Sequence, residues 1–98
     1  MAGRGITRIR AAIRDGAYDV TLHAVEEAAE DNLDIVDVET SILNGKLIRR
    51  ETGDVRGIRY TIHGLATDGV MLVGTVGRFT ETGRYLIITV YGVTSQHI

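Results

Sequence analysis

The sequence contains no cysteine among its 98 residues. Disulfide bonds, thiol nucleophiles and thiolate metal ligands are therefore excluded. Its apolar runs are shorter than the roughly 20 residues that a membrane-spanning helix needs, and the opening MAGRGITRIR lacks the apolar segment of a secretory signal. We therefore expect one soluble, cytoplasmic domain over residues 1–98, without membrane association.

Sequence motifs for nucleotide cofactors are also missing. The glycine-containing stretches GRG at 3–5 and GTVG at 74–77 match neither a phosphate-binding loop nor a dinucleotide fingerprint. Ser41 and Ser95 belong to no nucleophile motif. We therefore expect a protein that uses no cofactor.

Charge is divided along the chain, although the formal net charge is only −2. Residues 1–14 carry four arginines and no acid, residues 15–39 carry nine acids and no base, and residues 40–98 carry seven bases and four acids. Ten of the eleven bases are arginine, which suits bidentate phosphate contacts. Two interpretations stay open: ordinary solvated faces, or an anion-binding surface.

Apolar spacing predicts three short helices in the first half of the chain. The first spans about residues 6–14, and a brief extended link, AYDVTL, follows it. The second spans about 22–32, with Thr21 as its N-cap. Asp34 caps the third helix, which ends near Gly45.

After this point the apolar period changes to two. The segments KLIRRE, IRYTIHGLA, VMLVGTVGRF and RYLIITVYGV are typical of four strands, and Asp68-Gly69 is a strong signal for a two-residue turn. Helices followed by an antiparallel meander predict an α+β domain of two layers. In it, two or three N-terminal helices pack on one face of a four-stranded antiparallel sheet.

A turn at Asp68-Gly69 would determine how the second and third strands pair. The face turned away from the helices would then carry three opposed pairs: Arg59 with Arg78, Thr61 with Val76, and His63 with Gly74. Directly opposed arginines are unfavourable unless an anion lies between them. This outer face is therefore a candidate anion-binding surface.

The loop before the last strand decides which of its residues join the outer face. A two-residue loop at 82–83 would place Thr89 beside Val76 and Tyr91 beside Gly74. A four-residue loop keeps the same faces, whereas a three-residue loop would turn the last strand over. With an even loop, the outer face carries six candidate residues: Arg59, Thr61, His63, Arg78, Thr89 and Tyr91.

These residues could perform acid–base chemistry on a phosphodiester. His63 and Tyr91 can move protons, and the paired Arg59 and Arg78 can stabilise a charge-rich pentavalent transition state. The candidate substrate-binding residues are Arg59, Arg78, Thr61 and Thr89. An RNA substrate would require no metal, because its own 2′-hydroxyl is the nucleophile. The alternative is an ordinary solvent-facing sheet surface, where arginine, threonine and tyrosine are common.

His23, near the start of the second helix, allows three interpretations. It could bind an anion or act as a base at the helix N-terminus, or it could pack between helix and sheet with one ring nitrogen satisfied. It could also join Glu27 and Glu30 in a metal site, although zinc sites usually have more nitrogen ligands. We expect no metal and keep His23 as a further catalytic candidate.

Several segments resemble one family in their order along the chain. IRAAIRDGAYDVTLHAVEEAAEDNLDIVDVETSILNGKLIRRE, then RYTIHG, then YLIITVY, is similar to domain of unknown function 4258 over about residues 6–93. The matching positions are His23, Ala24, Glu26, Glu30 and residues 88–91.

The helix of this sequence departs from the family's pattern. Glu27 and Asp31 stand where the family typically has arginine, Ala28 where it has methionine, and Asn32 where it has glycine. The two charge reversals would repel phosphate. The acidic helix is therefore expected to face a basic partner or solvent rather than RNA.

The resemblance implies a RelE-like fold and a relationship to the RelE- and BrnT-like toxins, which are small α+β ribonucleases. It thus implies a toxin-like, metal-independent endoribonuclease that cuts mRNA by 2′-hydroxyl attack and is restrained by an antitoxin-like protein. The alternative is a non-catalytic interaction domain of the same fold with a degenerate site, bound to a partner protein or forming a homodimer.

Overall fold

The computed structural model of the protein describes residues 3–93, with side chains from residue 5 onward. Its elements follow in the order α1 (Gly3–Arg14), β1 (Tyr18–Val20), α2 (Leu22–Glu30), α3 (Ile35–Leu43), β2 (Lys46–Glu51), β3 (Arg59–Leu65), β4 (Leu72–Phe79) and β5 (Tyr85–Gly92). The strands form one sheet in the order β1-β5-β4-β3-β2. The helices pack on the face that buries Ile62, Val73 and Ile87. The expected α+β architecture is confirmed.

The predicted caps begin the second and third helices. The Thr21 hydroxyl accepts a hydrogen bond from the Ala24 N–H at 3.1 Å. Asp34 and Asp37 form a reciprocal capping box at the start of α3. Asp37 also accepts hydrogen bonds from the Thr67 hydroxyl and N–H, and these hold the pKa of its carboxyl below the usual range. The same carboxylate therefore ties α3 to the β3–β4 turn.

The four expected strands are present, and the link AYDVTL adds a fifth that was not expected. Residues Tyr18–Val20 form β1 and pair in parallel with β5, so the sheet is mixed. The Arg84 guanidinium secures this strand by donating hydrogen bonds to the Asp19 carboxylate at 2.8 Å and to the Tyr18 carbonyl at 2.9 Å. A strand of three residues is too short to show an alternating pattern in the sequence.

The β4–β5 hairpin has a three-residue loop, because the Thr80 N–H donates to the Arg84 carbonyl, so the expectation of an even loop is wrong. Phe79 pairs with Tyr85, and residues 81–83 connect the strands. Gly83 has a φ of 85°, in the left-handed region that glycine adopts without strain. A loop of this length shifts the strand pairing by one residue.

A β-bulge farther along the hairpin reverses that shift. The register changes between Val76 and Gly77, where β5 contributes one additional residue. Beyond the bulge, Thr89 lies opposite Val76 and Tyr91 lies opposite Gly74. These pairs are the predicted ones, so both side chains still lie on the outer face.

Close packing of α3 against β3 requires a glycine. A Cβ placed on Gly64 would overlap the carbonyl oxygen of Ser41 and lie 2.8 Å from the Cα of Gly45. Ser41 is almost fully buried, and its hydroxyl donates to the Val38 carbonyl at 2.7 Å. The helix therefore cannot move away from the sheet at this point without opening the core.

We expect Gly64→Ala to destabilise the protein by roughly 1–3 kcal/mol, the usual cost of overpacking a core. Gly53→Ala is the matched control, because a Cβ there meets nothing within 4 Å and its φ lies outside the left-handed region. Urea unfolding followed by circular dichroism measures both free energies. Equal unfolding midpoints for the two variants would contradict the steric argument.

Candidate functional site

The outer sheet face contains an open groove of about 380 Å³. Five of the six predicted outer-face residues line it, together with four others. The lining residues are Ile48, Arg49, Glu51, Arg59, Thr61, His63, Val76, Thr89 and Tyr91. The sequence-based pairing thus brings the intended side chains together, with Arg78 as the exception.

A histidine–tyrosine pair spans the groove floor. The Nε2 of His63 lies 2.9 Å from the Tyr91 hydroxyl, and the two rings meet edge to face. Gly74 makes room for this contact, because a Cβ there would overlap the Tyr91 ring. The Tyr91 ring therefore fills the space that a side chain at position 74 would need.

Burial shifts the proton equilibria of this pair in opposite directions. It lowers the pKa of His63 and raises the pKa of Tyr91, although the nearby Arg49 charge partly opposes the second shift. At neutral pH the pair therefore consists of a neutral imidazole and a protonated phenol. Either Tyr91 donates to Nε2 or Nε2–H donates to the hydroxyl oxygen, and neither arrangement needs a formal charge.

Two guanidinium groups flank the groove. The Nη2 of Arg59 lies 3.5 Å from the Glu51 carboxylate, and both side chains are about two-fifths exposed, at 40% and 41%. The Nε of Arg59 is shielded from solvent and has no hydrogen-bond partner in the described part of the chain. Arg59 is thus paired by one nitrogen and leaves donor capacity unused.

Arg49 was not among the predicted site residues. Regular alternation along KLIRRE would set Arg49 opposite Tyr60, whose side chain is buried under the helices. A register shift between Leu47 and Arg49 places it opposite Thr61 instead, so it lines the groove. Bulges re-aim side chains in this way, and the sequence carries no evident signal for one here.

Arg78 lies outside the groove, although the β3–β4 strands pair in the predicted register. The last pair of the β3–β4 ladder is Tyr60 with Gly77, and Arg59 pairs with Glu51 of β2. Arg78 lines a neighbouring open depression instead. The other residues of that depression are Val55, Arg56, Gly57, Thr80, Glu81 and Thr82.

His23 also lies apart from the other predicted catalytic residues. Its side chain is 69% exposed on α2, and its Nε2 lies 3.2 Å from Glu27. It does not line the groove. The interpretation as a histidine packed between helix and sheet is wrong. Within residues 3–93, no three His, Asp or Glu side chains are grouped so that they could hold a metal ion.

The two charge reversals in α2 have a structural role that the sequence did not reveal. Glu27 accepts a hydrogen bond from the Val90 N–H at 3.0 Å, and Asp31 accepts one from the Gly92 N–H at 3.1 Å. Strand β1 pairs only with the first part of β5, so these amides belong to an open strand edge. The acidic side chains cover that edge, which limits pairing with other chains.

The fold and groove define a small α+β domain with a histidine–tyrosine pair on an open sheet face. The family model "Domain of unknown function (DUF4258)" matches residues 20–92, and the chain belongs to this family. The match begins at the end of β1, so α1 lies outside it. No curated protein and no solved structure matches the chain. None of the described helices is long and apolar enough to cross a membrane.

We expect His63 to titrate below its usual value of 6.5 in the folded protein, because burial penalises the charged ring. The folded state then binds fewer protons than the unfolded state. The stabilising contribution of His63 is thus complete well above pH 6.5, the value for the unfolded state. It is lost as the pH falls from there through the lower pKa of the folded state. NMR titration of the His63 ring in buffer and in denaturing urea measures its pKa in the folded and in the unfolded state. Identical pKa values would contradict the desolvation argument.

Removing the Glu27 carboxylate should expose the Val90 N–H to solvent. We expect Glu27→Ala to accelerate hydrogen exchange of the Val90 N–H several-fold, since a hydrogen bond contributes about 1 kcal/mol. Glu26→Ala is the matched control, because within residues 3–93 the side chain of the neighbouring Glu26 makes no hydrogen bond or ion pair. Equal exchange rates in both variants would show that Glu27 does not protect the edge.

Proposed function

We propose that the protein is a metal-independent endoribonuclease that cleaves RNA by attack of the 2′-hydroxyl on the adjacent phosphorus. The observation that carries the proposal is the His63–Tyr91 contact of 2.9 Å in a groove flanked by arginines. The pair supplies one neutral base and one protonated acid, the two groups that cleavage by 2′-hydroxyl attack uses, and bound RNA would part them so that each meets its own oxygen. The relationship to RelE- and BrnT-like toxins that the family resemblance implies points to the same reaction class.

In the proposed reaction, His63 accepts the proton of the 2′-hydroxyl as its oxygen bonds to phosphorus. Tyr91 donates its proton to the 5′-oxygen as the P–O bond breaks. The products are a 2′,3′-cyclic phosphate and a free 5′-hydroxyl. When the products leave, the imidazolium and phenolate come back into contact, and the proton returns from His63 to Tyr91 and restores the site.

The arginines would stabilise the negative charge that develops on phosphorus. Arg49 carries its positive charge close enough to Tyr91 to oppose the rise in the tyrosine pKa, and it would also stabilise the transient phenolate. Arg59 would exchange its contact with Glu51 for a phosphate oxygen and use its free Nε–H. Thr61 and Thr89 line the groove with hydroxyl groups that can donate to the same phosphate.

Two of the predicted residues would lie outside the site of cleavage. Arg78, in the adjacent depression, would bind the phosphate of a neighbouring nucleotide rather than the one being cleaved. His23 takes no part in the proposed chemistry, because it pairs with Glu27 on α2 and does not line the groove. By the resemblance to RelE- and BrnT-like toxins, the substrate would be mRNA, and an antitoxin-like protein would restrain the activity.

We expect the purified protein to cleave total RNA in the presence of EDTA and to leave cyclic phosphate ends. His63→Ala should lower the rate by about 10²–10⁴-fold, the usual contribution of acid–base catalysis. Arg59→Ala and Arg49→Ala should each lower it by about 10²-fold or more, the usual cost of removing a group that stabilises transition-state charge.

Arg50→Ala is the matched control for Arg49→Ala, because Arg50 is the next residue on β2 and does not line the groove. It should cleave RNA at the rate of the unsubstituted protein. Folded protein that is inert on RNA would overturn the proposal, as would full activity of both the His63→Ala and Arg59→Ala variants.

A second candidate function is a non-catalytic interaction domain that uses the same groove. The observation in its favour is Glu51, whose carboxylate neutralises part of the Arg59 charge before any ligand binds. A protein partner could pair with both residues, whereas phosphate has to displace Glu51. Inert protein that forms a stable complex with an antitoxin-like partner, or a homodimer, through the groove would favour this second function.

A further inference from the structure

The helical layer carries an apolar stripe that no described residue covers. Leu22 is 73% exposed, Val25 and Val36 are 51% exposed, and Ile35 is 46% exposed. Leu22, Val25 and Ala29 follow helical spacing on α2, and Ile35 and Val36 begin α3. Large aliphatic side chains grouped in this way typically mark an interaction surface.

A cleft of about 170 Å³ lies between α2 and α3 within this stripe. Nine of its ten lining residues are apolar, and together they are Val20, Ala24, Val25, Ala28, Ala29, Leu33, Asp34, Ile35, Val38 and Val90. An apolar cavity of about 150 Å³ is large enough for a benzene ring. The cleft can therefore receive one leucine or phenylalanine side chain from outside.

The stripe is bordered by negative charge alone. Glu26, Glu30, Asp31 and Asp34 are exposed around it, and the sequence has no lysine or arginine between residues 15 and 45. Within residues 3–93, the side chains of Glu26 and Glu30 make no hydrogen bond or ion pair, so their charges are uncompensated. A ligand of this surface has to be apolar at its centre and positive at its edges.

We propose that the α2–α3 face is the docking surface for a basic amphipathic helix of a partner protein. Such a helix inserts apolar side chains at i, i+3 or i+4, and i+7 into a groove between two helices. Its lysines and arginines would meet the acidic border. This inference does not depend on the proposed nuclease activity, because the catalytic groove lies on the opposite face of the sheet.

Other occupants fit the surface less well. A second copy of the chain, docked about a two-fold axis, would set the same acidic borders against each other. RNA and anionic lipid would be repelled by the same charges. A basic helix is the occupant that satisfies both the apolar cleft and its border.

The test uses the full chain and a defined probe. We would titrate ¹⁵N-labelled protein with a synthetic 14-residue helix of leucine and lysine, with the leucines on one side. Two control peptides have the same leucines with glutamate for lysine, or the same composition with the leucines distributed around the helix. We expect shift changes at Leu22, Val25, Ala29 and Ile35, and at least tenfold weaker binding of either control peptide.

Paired variants then test the apolar stripe. Val25→Asn should weaken binding of the leucine–lysine helix at least tenfold, whereas Val70→Asn, at an 80% exposed valine in the β3–β4 turn, should not. Glu26→Gln with Glu30→Gln should weaken binding and reduce its dependence on salt. The amide spectrum reports at the same time whether each variant is folded.

Three results would overturn this proposal. The first is no saturable binding of the leucine–lysine helix at millimolar concentration. The second is equal binding of all three peptides, or equal affinity of the Val25→Asn and Val70→Asn variants. The third is a dimer in sedimentation experiments that Val25→Asn dissociates, since a second copy would then cover the face. The Val25→Asn protein is also assayed for RNA cleavage. Because Val25 does not line the groove, loss of peptide binding with unchanged cleavage separates the docking surface from the proposed nuclease.

Discussion

The pairing of β4 with β5 beyond Val76 is the constraint on which the groove depends. The three-residue loop at 81–83, taken alone, would turn Thr89 and Tyr91 toward the helices. The bulge between Val76 and Gly77 returns them to the outer face. The same bulge lies beside Gly77, where a Cβ would come within 2.5 Å of the buried Tyr85 ring. One local irregularity therefore serves both the packing of the core and the geometry of the site.

Local sequence signals predicted the features that arise from local interactions. Thr21 and Asp34 cap their helices through residues within the next turn. The β3–β4 turn is longer than the predicted two residues, because the Ala66 N–H donates to the Met71 carbonyl around residues 67–70, but the ladder keeps the predicted His63–Gly74 pair. Features that depend on distant partners were not predictable in this way. The three-residue β1, the bulge that re-aims Arg49 and the amide-capping role of Glu27 all require knowledge of a neighbouring strand. A single sequence does not supply that knowledge.

The division of charge along the chain becomes a division in space. The acids of α2 and α3 lie in the helical layer, whereas Arg49 and Arg59 lie on the outer face of the sheet. Two arginines of α1 have structural contacts instead: Arg8 stacks on Phe79 at 3.7 Å, and Arg10 donates to the Gly45 carbonyl. The domain thus presents one face that attracts anions and another that attracts cations.

The two faces are joined through the edge of β5. Val90 and Gly92 donate their N–H groups to Glu27 and Asp31 of α2, and these amides flank Tyr91 on either side. A ligand that displaces α2 must therefore break these two hydrogen bonds, or it must also move the backbone of Val90 and Gly92. A ligand that binds without displacing α2 reinforces the present position of the tyrosine. These two hydrogen bonds thus connect the helical face to the backbone on either side of Tyr91.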